Sequence, residues 1–322
     1  RSDVGAWRDG SGQLWLFGGW GVDHAGSWGM LNDLWRYDPT SGNWTWMKGS
    51  TTINATGVYG TKGVASAANV PGARESMVSW IDASGDLFLF GGYGYDSTGA
   101  AGYLNDLWRY DPSNGQWTWV SGPDTANTGG VYGTLETEAA TNLPGARFAS
   151  VSWTDATGNV WLFGGYGVDS GGSLLGHLND LWRYNTSNGI WTWMGGSNTY
   201  GAIGVYGTKG TAAPGNVPGA RSLASAWMDT AGNLWCFGGL SADAGNNPVV
   251  LNDLWRYDPV GNAWTWMSGS SLANATGIYG TQGTAAAANA PGARAGSMVW
   301  ADTAGNLWIF GGAGLDSRST AT

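Results

Sequence analysis

Side chains that bind metals or act as nucleophiles are scarce in this chain. Among 322 residues there are two histidines, His24 and His177, and one cysteine, Cys236. A single cysteine excludes an internal disulfide and any metal site built from several thiolates. Cys236 stands where equivalent segments carry leucine or isoleucine, so we expect it to be a small buried residue. The sequence therefore predicts no cofactor.

Paired carboxylates for glycoside hydrolysis are equally scarce. That chemistry needs two acids at a fixed separation across a cleft, and the glutamates number three: Glu75, Glu136 and Glu138. The last two fall together in one predicted loop, where solvated acids are common. The chain also lacks a Gly-x-Ser-x-Gly elbow, a phosphate-binding loop and an HExxH helix. No catalytic residue is predicted.

Three aspartates recur at equivalent places and are the weak candidates for a metal. Asp23, Asp96 and Asp169 each follow a Phe-Gly-Gly segment by a few residues. Oxygen ligands suit calcium. Aspartates at such positions also cap their own turns through side-chain hydrogen bonds. Both interpretations are open at this stage, with the turn role favoured.

Aromatic side chains are the most numerous candidates for ligand binding. Of 23 tryptophans, 21 occupy repeated positions and are predicted to form the core. Trp20 and Trp28 lie outside that pattern, in one predicted loop with His24 between them. Tyrosines in the corresponding predicted loops extend this candidate rim: Tyr93, Tyr95, Tyr103 and Tyr166.

A repeat of about 73 residues organises all of these positions. Phe-Gly-Gly begins at Phe17, Phe90, Phe163, Phe237 and Phe310, in steps of 73, 73, 74 and 73 residues. Leu-Asn-Asp-Leu-Trp-Arg-Tyr, Trp-Thr-Trp and Pro-Gly-Ala-Arg recur with it. The chain therefore holds four complete copies and one half copy. We expect a single domain with units of about 1–73, 74–146, 147–220, 221–293 and a partial 294–322.

Each unit predicts four short antiparallel strands followed by a long loop. In the second unit these are about Ser76–Ile81, Leu87–Phe90, Asp106–Tyr110 and Trp117–Val120. Both faces of a segment such as Leu14–Phe17 are apolar, so each sheet must lie between two others. A ring of four-stranded blades meets that need better than a linear stack, which requires polar end caps. The near-identical Val-Tyr-Gly-Thr segments predict that the long loops dock on the sheets.

The repeat resembles the Kelch motif, which also builds the central domain of galactose oxidase-like proteins. The resemblance rests on Gly-Gly ending the second strand, Tyr-Asp-Pro closing the third and tryptophan opening the fourth. It implies an all-β propeller, although these units exceed the usual length of about 50 residues. The half copy leads us to expect part of a longer chain of five to seven blades. The alternative is a four-bladed ring with a redundant tail.

Two series of arginines recur with the repeat. The third-strand series is predicted to pair with carboxylates within or between blades; its members are Arg36, Arg109, Arg183 and Arg256. The second series precedes the first strands and is placed to line a central channel and bind an anion; its members are Arg1, Arg74, Arg147, Arg221 and Arg294.

Composition narrows the class of partner. A formal charge of −9 with three lysines argues against nucleic acid or an anionic membrane, and no apolar run is long enough to enter a bilayer. Few lysines and abundant Gly, Ser, Thr and Asn are typical of a secreted or cell-surface protein. We expect a non-catalytic binding or scaffold propeller for protein interaction or surface assembly, with self-assembly as one form of it. The alternatives are a carbohydrate-binding propeller and a galactose oxidase-like enzyme whose catalytic residues lie outside this chain.

Overall fold

Short β-strands make up the regular structure of the chain. A computed structural model describes residues 1–172 and 175–317, and the elements in these ranges are strands without helices. Among the described residues, therefore, no helix is long and apolar enough to cross a membrane.

The strands follow the repeat. The first repeat holds β1 (Gly5–Arg8), β2 (Leu14–Phe17), β3 (Trp20–Val22), β4 (Trp28–Met30), β5 (Leu34–Asp38) and β6 (Asn43–Lys48). The second holds β7 (Arg74–Glu75), β8 (Val78–Ile81), β9 (Leu87–Tyr95), β10 (Ala101–Asp111) and β11 (Gln116–Ser121). The third holds β12 (Arg147–Phe148), β13 (Val151–Thr154), β14 (Val160–Val168), β15 (Leu175–Asn185) and β16 (Ile190–Gly195). The fourth holds β17 (Ser225–Met228), β18 (Leu234–Ala242), β19 (Pro248–Asp258) and β20 (Ala263–Ser268), and the half repeat holds β21 (Arg294–Ala295), β22 (Met298–Ala301), β23 (Leu307–Phe310) and β24 (Ala313–Gly314).

Each complete repeat forms one antiparallel sheet, numbered here as the repeats are. Sheet 1 has the order β1-β2-β5-β6, and sheet 4 has the order β17-β18-β19-β20. Sheets 2 and 3 have the same order with one short extra strand each. β7 pairs with β9 in sheet 2, and β12 pairs with β14 in sheet 3. The half repeat, called sheet 5, contains the pairs β22-β23 and β21-β24. The predicted order of four antiparallel strands is confirmed.

The segments after Phe-Gly-Gly differ from the prediction, because they are paired strands rather than loops. β9 continues through Gly91 and Gly92 to Tyr95 and pairs again with β10, which begins at Ala101 instead of Asp106. Gly91 and Gly92 have φ values of 68° and 98°, and the register shifts beside them. A side chain on Gly91 would lie 2.8 Å from the Arg147 carbonyl oxygen. Two glycines thus make a bulge that redirects the strand without ending it.

The described residues group into two compact units. The first consists of Arg1–Ser150, Gly167–Leu175 and Tyr184–Thr192, and the second of Val151–Tyr166, Gly176–Arg183 and Trp193–Thr322. In the first unit sheets 1 and 2 pack face to face through aromatic pairs, Trp15 with Tyr110 at 5.8 Å and Phe17 with Trp117 at 5.4 Å. In the second unit Phe163 meets Trp264 in the same way at 5.2 Å.

The core prediction for the repeated tryptophans is right for most of them and wrong for four. Trp108, Trp117, Trp182 and Trp255 are fully buried. Four others are about half exposed, at 46–52%: Trp44, Trp46, Trp300 and Trp308. They lie on β6 of sheet 1 and on β22 and β23 of sheet 5.

The long loops that follow β6, β11 and β16 dock on the next sheet, as the Val-Tyr-Gly-Thr segments predict. In the loop of residues 49–73, the Tyr59 hydroxyl donates to Asp106 at 2.6 Å, and Asn69 Nδ2 donates to the Trp117 carbonyl at 3.1 Å. The Lys62 ammonium lies 4.3 Å from the centre of the Trp119 ring. The equivalent loop in the second unit makes the same three contacts. Its tyrosine hydroxyl donates to Asp253, its asparagine amide donates to the Trp264 carbonyl, and its lysine ammonium lies over the Trp266 ring.

Candidate functional site

The ribbon formed by β3 and β4 positions the two tryptophans that stand outside the repeat. Trp20 lies opposite Met30, Gly21 opposite Gly29, and Val22 opposite Trp28. Because side chains alternate along a strand, Trp20, Val22 and Trp28 share one face. They are 40%, 44% and 66% exposed. The term "aromatic ribbon" is used below for β3 and β4 with this face.

The opposite face of the aromatic ribbon carries glycines because the chain packs tightly there. A side chain on Gly21 would lie 2.8 Å from Arg1 Cβ, and one on Gly29 would lie 2.9 Å from Ile53 Cβ. The glycine face is thus fixed against the long loop and the start of the chain. This contact turns the tryptophan face toward solvent.

The polar side chains in the turn of the aromatic ribbon, Asp23 and His24, already make hydrogen bonds within the chain. Asp23 Oδ1 accepts hydrogen bonds from the amides of Ala25 and Ser27, both at 2.9 Å, and Oδ2 accepts from Ile53. The Ser27 hydrogen bond is the largest of the effects that hold the pKa of Asp23 below its ordinary value. His24 Nδ1 donates to the Thr51 carbonyl at 2.8 Å.

The other two calcium candidates occupy the same kind of turn. Asp96 Oδ1 accepts from Thr98 and Ala100, and its Oδ2 accepts from Ala126 at 3.0 Å. Burial tends to raise the pKa of Asp96, but these hydrogen bonds outweigh it and lower the pKa overall. Asp169 Oδ1 accepts from the Gly171 amide. In the described parts of the chain no three His, Cys, Asp or Glu side chains cluster in a way that could hold a metal ion.

The tyrosine candidates lie on strands rather than in the predicted loops. Tyr93 on β9 pairs with Tyr103 on β10, their rings 5.2 Å apart and edge to face. Tyr103 also meets Phe148 at 5.5 Å. Tyr95 ends β9 opposite Ala101 and is half-buried. The sequence placed Tyr93 and Tyr103 in a loop, whereas both lie on paired strands.

Tyr166 has a histidine as its partner. Its ring lies 5.1 Å from that of His177, edge to face. Burial lowers the pKa of His177, so the imidazole is neutral at neutral pH. In the fourth repeat the equivalent pair is Leu240 and Val250. The cross-strand pair after Phe-Gly-Gly is therefore the position at which the repeats differ.

Two further residues on these sheet ends were not selected from the sequence as binding candidates. Glu75 on β7 pairs with Tyr93, and Phe148 on β12 contacts Tyr103. Both directly follow a Pro-Gly-Ala-Arg motif, at a position that is serine or alanine in the other repeats. This variation beside an invariant motif was the available signal. It was missed because the two-residue strands β7 and β12 are too short to give a periodic pattern.

Glu75 gives this end of sheet 2 a testable pH dependence. Burial first, and then the charge of Asp3, raise the pKa of Glu75 above its ordinary value. A raised folded-state pKa means that stability falls as pH rises from 4.5 through the folded-state value. We expect Glu75→Gln to remove that penalty and to raise Tm by about 1–2 °C at pH 7. At pH 3.5 the two proteins should melt together.

The measurement is thermal unfolding of both proteins at the two pH values. Glu136→Gln is the control, because it removes the same charge from an exposed loop and should leave Tm unchanged. Equal melting of wild type and Glu75→Gln at pH 7 would contradict the burial argument.

The arginines that precede the first strands make buried ion pairs. Arg74 binds both oxygens of Asp106, at 2.6 and 2.7 Å, and Arg221 binds both oxygens of Asp253 at 2.8 Å. These aspartates belong to the Leu-Asn-Asp motif. With both partners about 1% exposed or less, neither guanidinium is free to bind an anion from a channel. The anion-binding interpretation of Arg74 and Arg221 is therefore wrong.

The third-strand arginines behave differently. Arg109 pairs with Asp86 of its own sheet at 3.6 Å, a carboxylate within the blade as predicted. The Arg36 guanidinium lies 5.7 Å from the Trp15 ring centre. Neither contact involves a residue proposed to bind a ligand.

Cys236 is a packing residue. It is fully buried on β18 in the core of the second unit, beside Leu234 and Trp255. Burial raises the pKa of its thiol to about 12. A thiol held in its neutral form is a poor nucleophile and a poor metal ligand.

An apolar cavity of about 170 Å³ lies in the second unit. Its lining includes Trp227, Phe237, Leu254, Leu307 and Ile309. In the first unit the equivalent side of Phe17 is filled by Trp117. In the second unit the space beside Phe237 forms part of this cavity.

The family of the chain follows from its sequence. Residues 61–271 match the sequence model of the KLHDC2/KLHL20/DRC7 Kelch-repeats domain, which is more than half of the chain. The chain belongs to the Kelch-repeat family. The resemblance of the Gly-Gly, Tyr-Asp-Pro and tryptophan positions to the Kelch motif is thereby confirmed. Kelch repeats generally mediate protein–protein interaction, and this Kelch propeller is a scaffold of that kind.

A solved structure agrees on the fold. The protein in "Structure of YjhT" superposes on this Kelch propeller with a TM-score of 0.59 at 14% identity, over 98% of this chain and 78% of that one. At this identity the likeness shows the fold alone. No curated protein matches the chain.

Proposed function

We propose that this Kelch propeller is a non-catalytic scaffold, secreted or on the cell surface, that binds a protein partner through the aromatic ribbon. One observation carries the proposal. Trp20, Val22 and Trp28 form an exposed apolar face on a ribbon that is fixed from behind by Gly21 and Gly29. Rigidly held aromatic side chains lose little entropy on binding, which makes them good anchors.

The polar groups around the ribbon favour a protein over a glycan. Sugar recognition needs hydrogen-bonding groups beside the aromatic platform, and those nearest in sequence are already engaged. The Asp23 oxygens accept backbone amides, and His24 Nδ1 donates to Thr51. Val22 and the tryptophans offer apolar area instead. A lectin-like role through the Trp28 ring remains the second candidate, because this ring is 66% exposed.

Two chemical facts support a role without catalysis. Cys236 is buried and its thiol is neutral, and Glu138 on the long loop accepts hydrogen bonds from Asn185 and Asn188. The extracellular location rests on the paucity of lysine and the abundance of Gly, Ser, Thr and Asn. It is a proposal from composition.

The test compares binding by wild type and by the double variant Trp20→Ala/Trp28→Ala. Both are screened against a displayed random-peptide library and a glycan array. We expect wild type to select peptides whose Kd rises about 30-fold or more in the double variant. Trp44→Ala/Trp46→Ala is the matched control, since it removes two half-exposed tryptophans elsewhere and should keep peptide binding.

Other results would overturn the proposal. Glycan binding that is lost in the Trp20→Ala/Trp28→Ala variant, without peptide selection, would establish the lectin-like role. Peptide binding that survives in this variant would exclude the aromatic ribbon as the docking surface.

A further inference from the structure

Three aromatic rings and one carboxylate lie together where sheet 2 continues past Phe-Gly-Gly. Glu75 on β7 and Tyr103 on β10 are both directly opposite Tyr93 on β9. Because opposite residues on neighbouring strands share a face, these three side chains form one row. The rings of Tyr93 and Tyr103 are 5.2 Å apart, and the Tyr103 ring lies 5.5 Å from that of Phe148. The four residues are called the Glu75 cage below.

The backbone closes the Glu75 cage by bringing Phe148 back to Glu75. The Ala149 amide donates to the Ser76 carbonyl at 3.0 Å. These two residues directly follow Phe148 and Glu75 in the sequence. The four side chains of the cage are therefore neighbours around a closed circuit. All four are half-buried, and all belong to the first compact unit.

The strand that carries Tyr103 is fixed by the long loop behind it. The Tyr103 amide donates to Asn127 Oδ1 at 3.0 Å, and the Asn127 amide donates to the Tyr103 carbonyl at 2.7 Å. The preceding residue, Gly102, packs so closely on this loop that a side chain there would lie 2.6 Å from Asn127 Nδ2. Tyr103 is thus held in place before a ligand arrives, which lowers the entropy cost of binding.

Glu75 is the member of the cage that packing does not explain. Among the described residues, none donates a hydrogen bond to its carboxylate and no basic side chain pairs with it. The adjacent Arg74 is engaged by Asp106. Burial and the charge of Asp3 raise the pKa of Glu75, so the ionised group costs stability in the free protein. Carboxylates kept at such a cost are typical of functional sites.

The fourth repeat has the same backbone arrangement without this chemistry. Ser222, Leu240 and Val250 are paired in the same order as the row of sheet 2. The Gly296 amide donates to the Leu223 carbonyl at 2.9 Å, as Ala149 does to Ser76. The fold therefore requires neither a carboxylate nor tyrosines at these positions, and the combination in sheet 2 calls for a reason of its own.

We propose that the Glu75 cage binds a guanidinium group. The carboxylate accepts two N–H groups of the ligand, and the aromatic rings contact its plane through cation–π interactions. A guanidinium fits better than a quaternary ammonium, which has no N–H group to donate to Glu75. An arginine of a peptide and a small guanidinium compound both carry this group. No residue of the aromatic ribbon takes part, so this inference goes beyond the proposed function and does not depend on it.

Saturation-transfer NMR titrations of the whole chain at pH 7 test the proposal. We expect N-acetyl-arginine amide to bind with a Kd of about 1–10 mM. N-acetyl-citrulline amide has nearly the same shape without the charge and should not bind measurably. Methylguanidinium distinguishes the two sources of the group. A Kd equal to that of the arginine amide supports a small ligand, and a higher Kd supports an arginine within a peptide.

Two variants assign the binding to the cage. Glu75→Gln removes the charge and keeps the shape, and Tyr103→Val introduces the residue that the fourth repeat has at the equivalent Val250. We expect the Kd of N-acetyl-arginine amide to rise about 10-fold or more in Glu75→Gln and about 3-fold or more in Tyr103→Val. Glu136→Gln is the control, since it removes the same charge from an exposed loop and should keep the wild-type Kd. Near-UV circular dichroism verifies the fold of each variant.

Three results would overturn the inference. The arginine and citrulline amides could bind equally, which would exclude recognition of the charge. Folded Glu75→Gln or Tyr103→Val could keep the wild-type Kd, which would place the binding elsewhere. Tetramethylammonium could bind as tightly as methylguanidinium, which would contradict the role of the N–H groups. Each of these results leaves the proposed function intact, because the titrations involve no residue of the aromatic ribbon.

Discussion

Replacing Asp253 by asparagine is expected to lower the free energy of unfolding by about 3–5 kcal/mol. Asp253 is buried and binds Arg221 through both oxygens, while Oδ2 also accepts from the Tyr206 hydroxyl and Trp255 Nε1 at 2.7 Å. Asparagine keeps an acceptor for the tyrosine and tryptophan. It leaves the Arg221 charge buried without a counter-charge, and this accounts for most of the expected loss in the free energy of unfolding. Urea unfolding followed by tryptophan fluorescence measures the loss.

Two variants separate the ion pair from general packing. Asp33→Asn is the control, since its partner Arg1 has a side chain 23% exposed and water can solvate the charge that is left. Its loss should be about 1 kcal/mol. Arg221→Met/Asp253→Leu removes both charges and should recover much of the stability. A double variant as unstable as Asp253→Asn would mean that shape, and not the unpaired charge, causes the loss.

The same pair predicts a pH dependence. Burial tends to raise the pKa of Asp253, but Arg221 and the hydrogen bonds outweigh it, so the folded-state pKa is lowered from 3.8. A lowered folded-state pKa means that the stabilisation is present above pH 3.8 and is lost as pH falls through the folded value. The difference between wild type and Asp253→Asn should therefore shrink in strong acid.

Trp117→Ala should cost about 3–5 kcal/mol, whereas the same change at the equivalent Trp44 should cost less than about 1 kcal/mol. Trp117 is fully buried between Phe17 and Tyr110, so truncation opens a cavity between two sheets. Trp44 is 52% exposed, and water fills the space that it leaves. Urea unfolding followed by tryptophan fluorescence makes the comparison.

The two positions have the same place in the repeat and the same flanking Thr-Trp. A similar loss at both would show that the side chain acts within its own sheet, through Tyr37 or Tyr110. Small losses at both would contradict the packing of sheets 1 and 2 through Phe17 and Trp117.

The sequence predicted the fold well because each position of the repeat occurs in four complete copies, so that each strand and turn assignment could be compared across four segments. Phe-Gly-Gly, Tyr-Asp-Pro and Trp-Thr-Trp identified the strands, the turns and the Kelch family. The extensions of β9 and β10 beyond the glycines were missed, because paired glycines commonly end a strand and here form a bulge. The long loops were correctly expected to dock, since Val-Tyr-Gly-Thr would be an unusual sequence for a free loop.

The candidate site was only partly predictable. Trp20 and Trp28 stood out because they break the repeat, and the structure places them on one exposed face. Glu75 and Phe148 were not selected, because their importance depends on a two-residue strand that no periodicity marks. The partner of each arginine depended on which carboxylate meets it in three dimensions. Arg74 pairs with Asp106, which lies 32 residues further along the chain. Composition and motif spacing do not identify that partner.

The docking of each long loop on the following sheet has a consequence for how such a chain can change its length. Tyr59 and Asp106 lie 47 residues apart, and so do Tyr206 and Asp253. The first and third repeats thus each offer a tyrosine to the repeat that follows, and that repeat supplies the aspartate. A gene duplication that inserts one whole repeat would supply both groups at once, and the new unit would find matching neighbours on each side. Unequal recombination between repeats is therefore structurally tolerable wherever it preserves the phase of this spacing, and harmful wherever it does not.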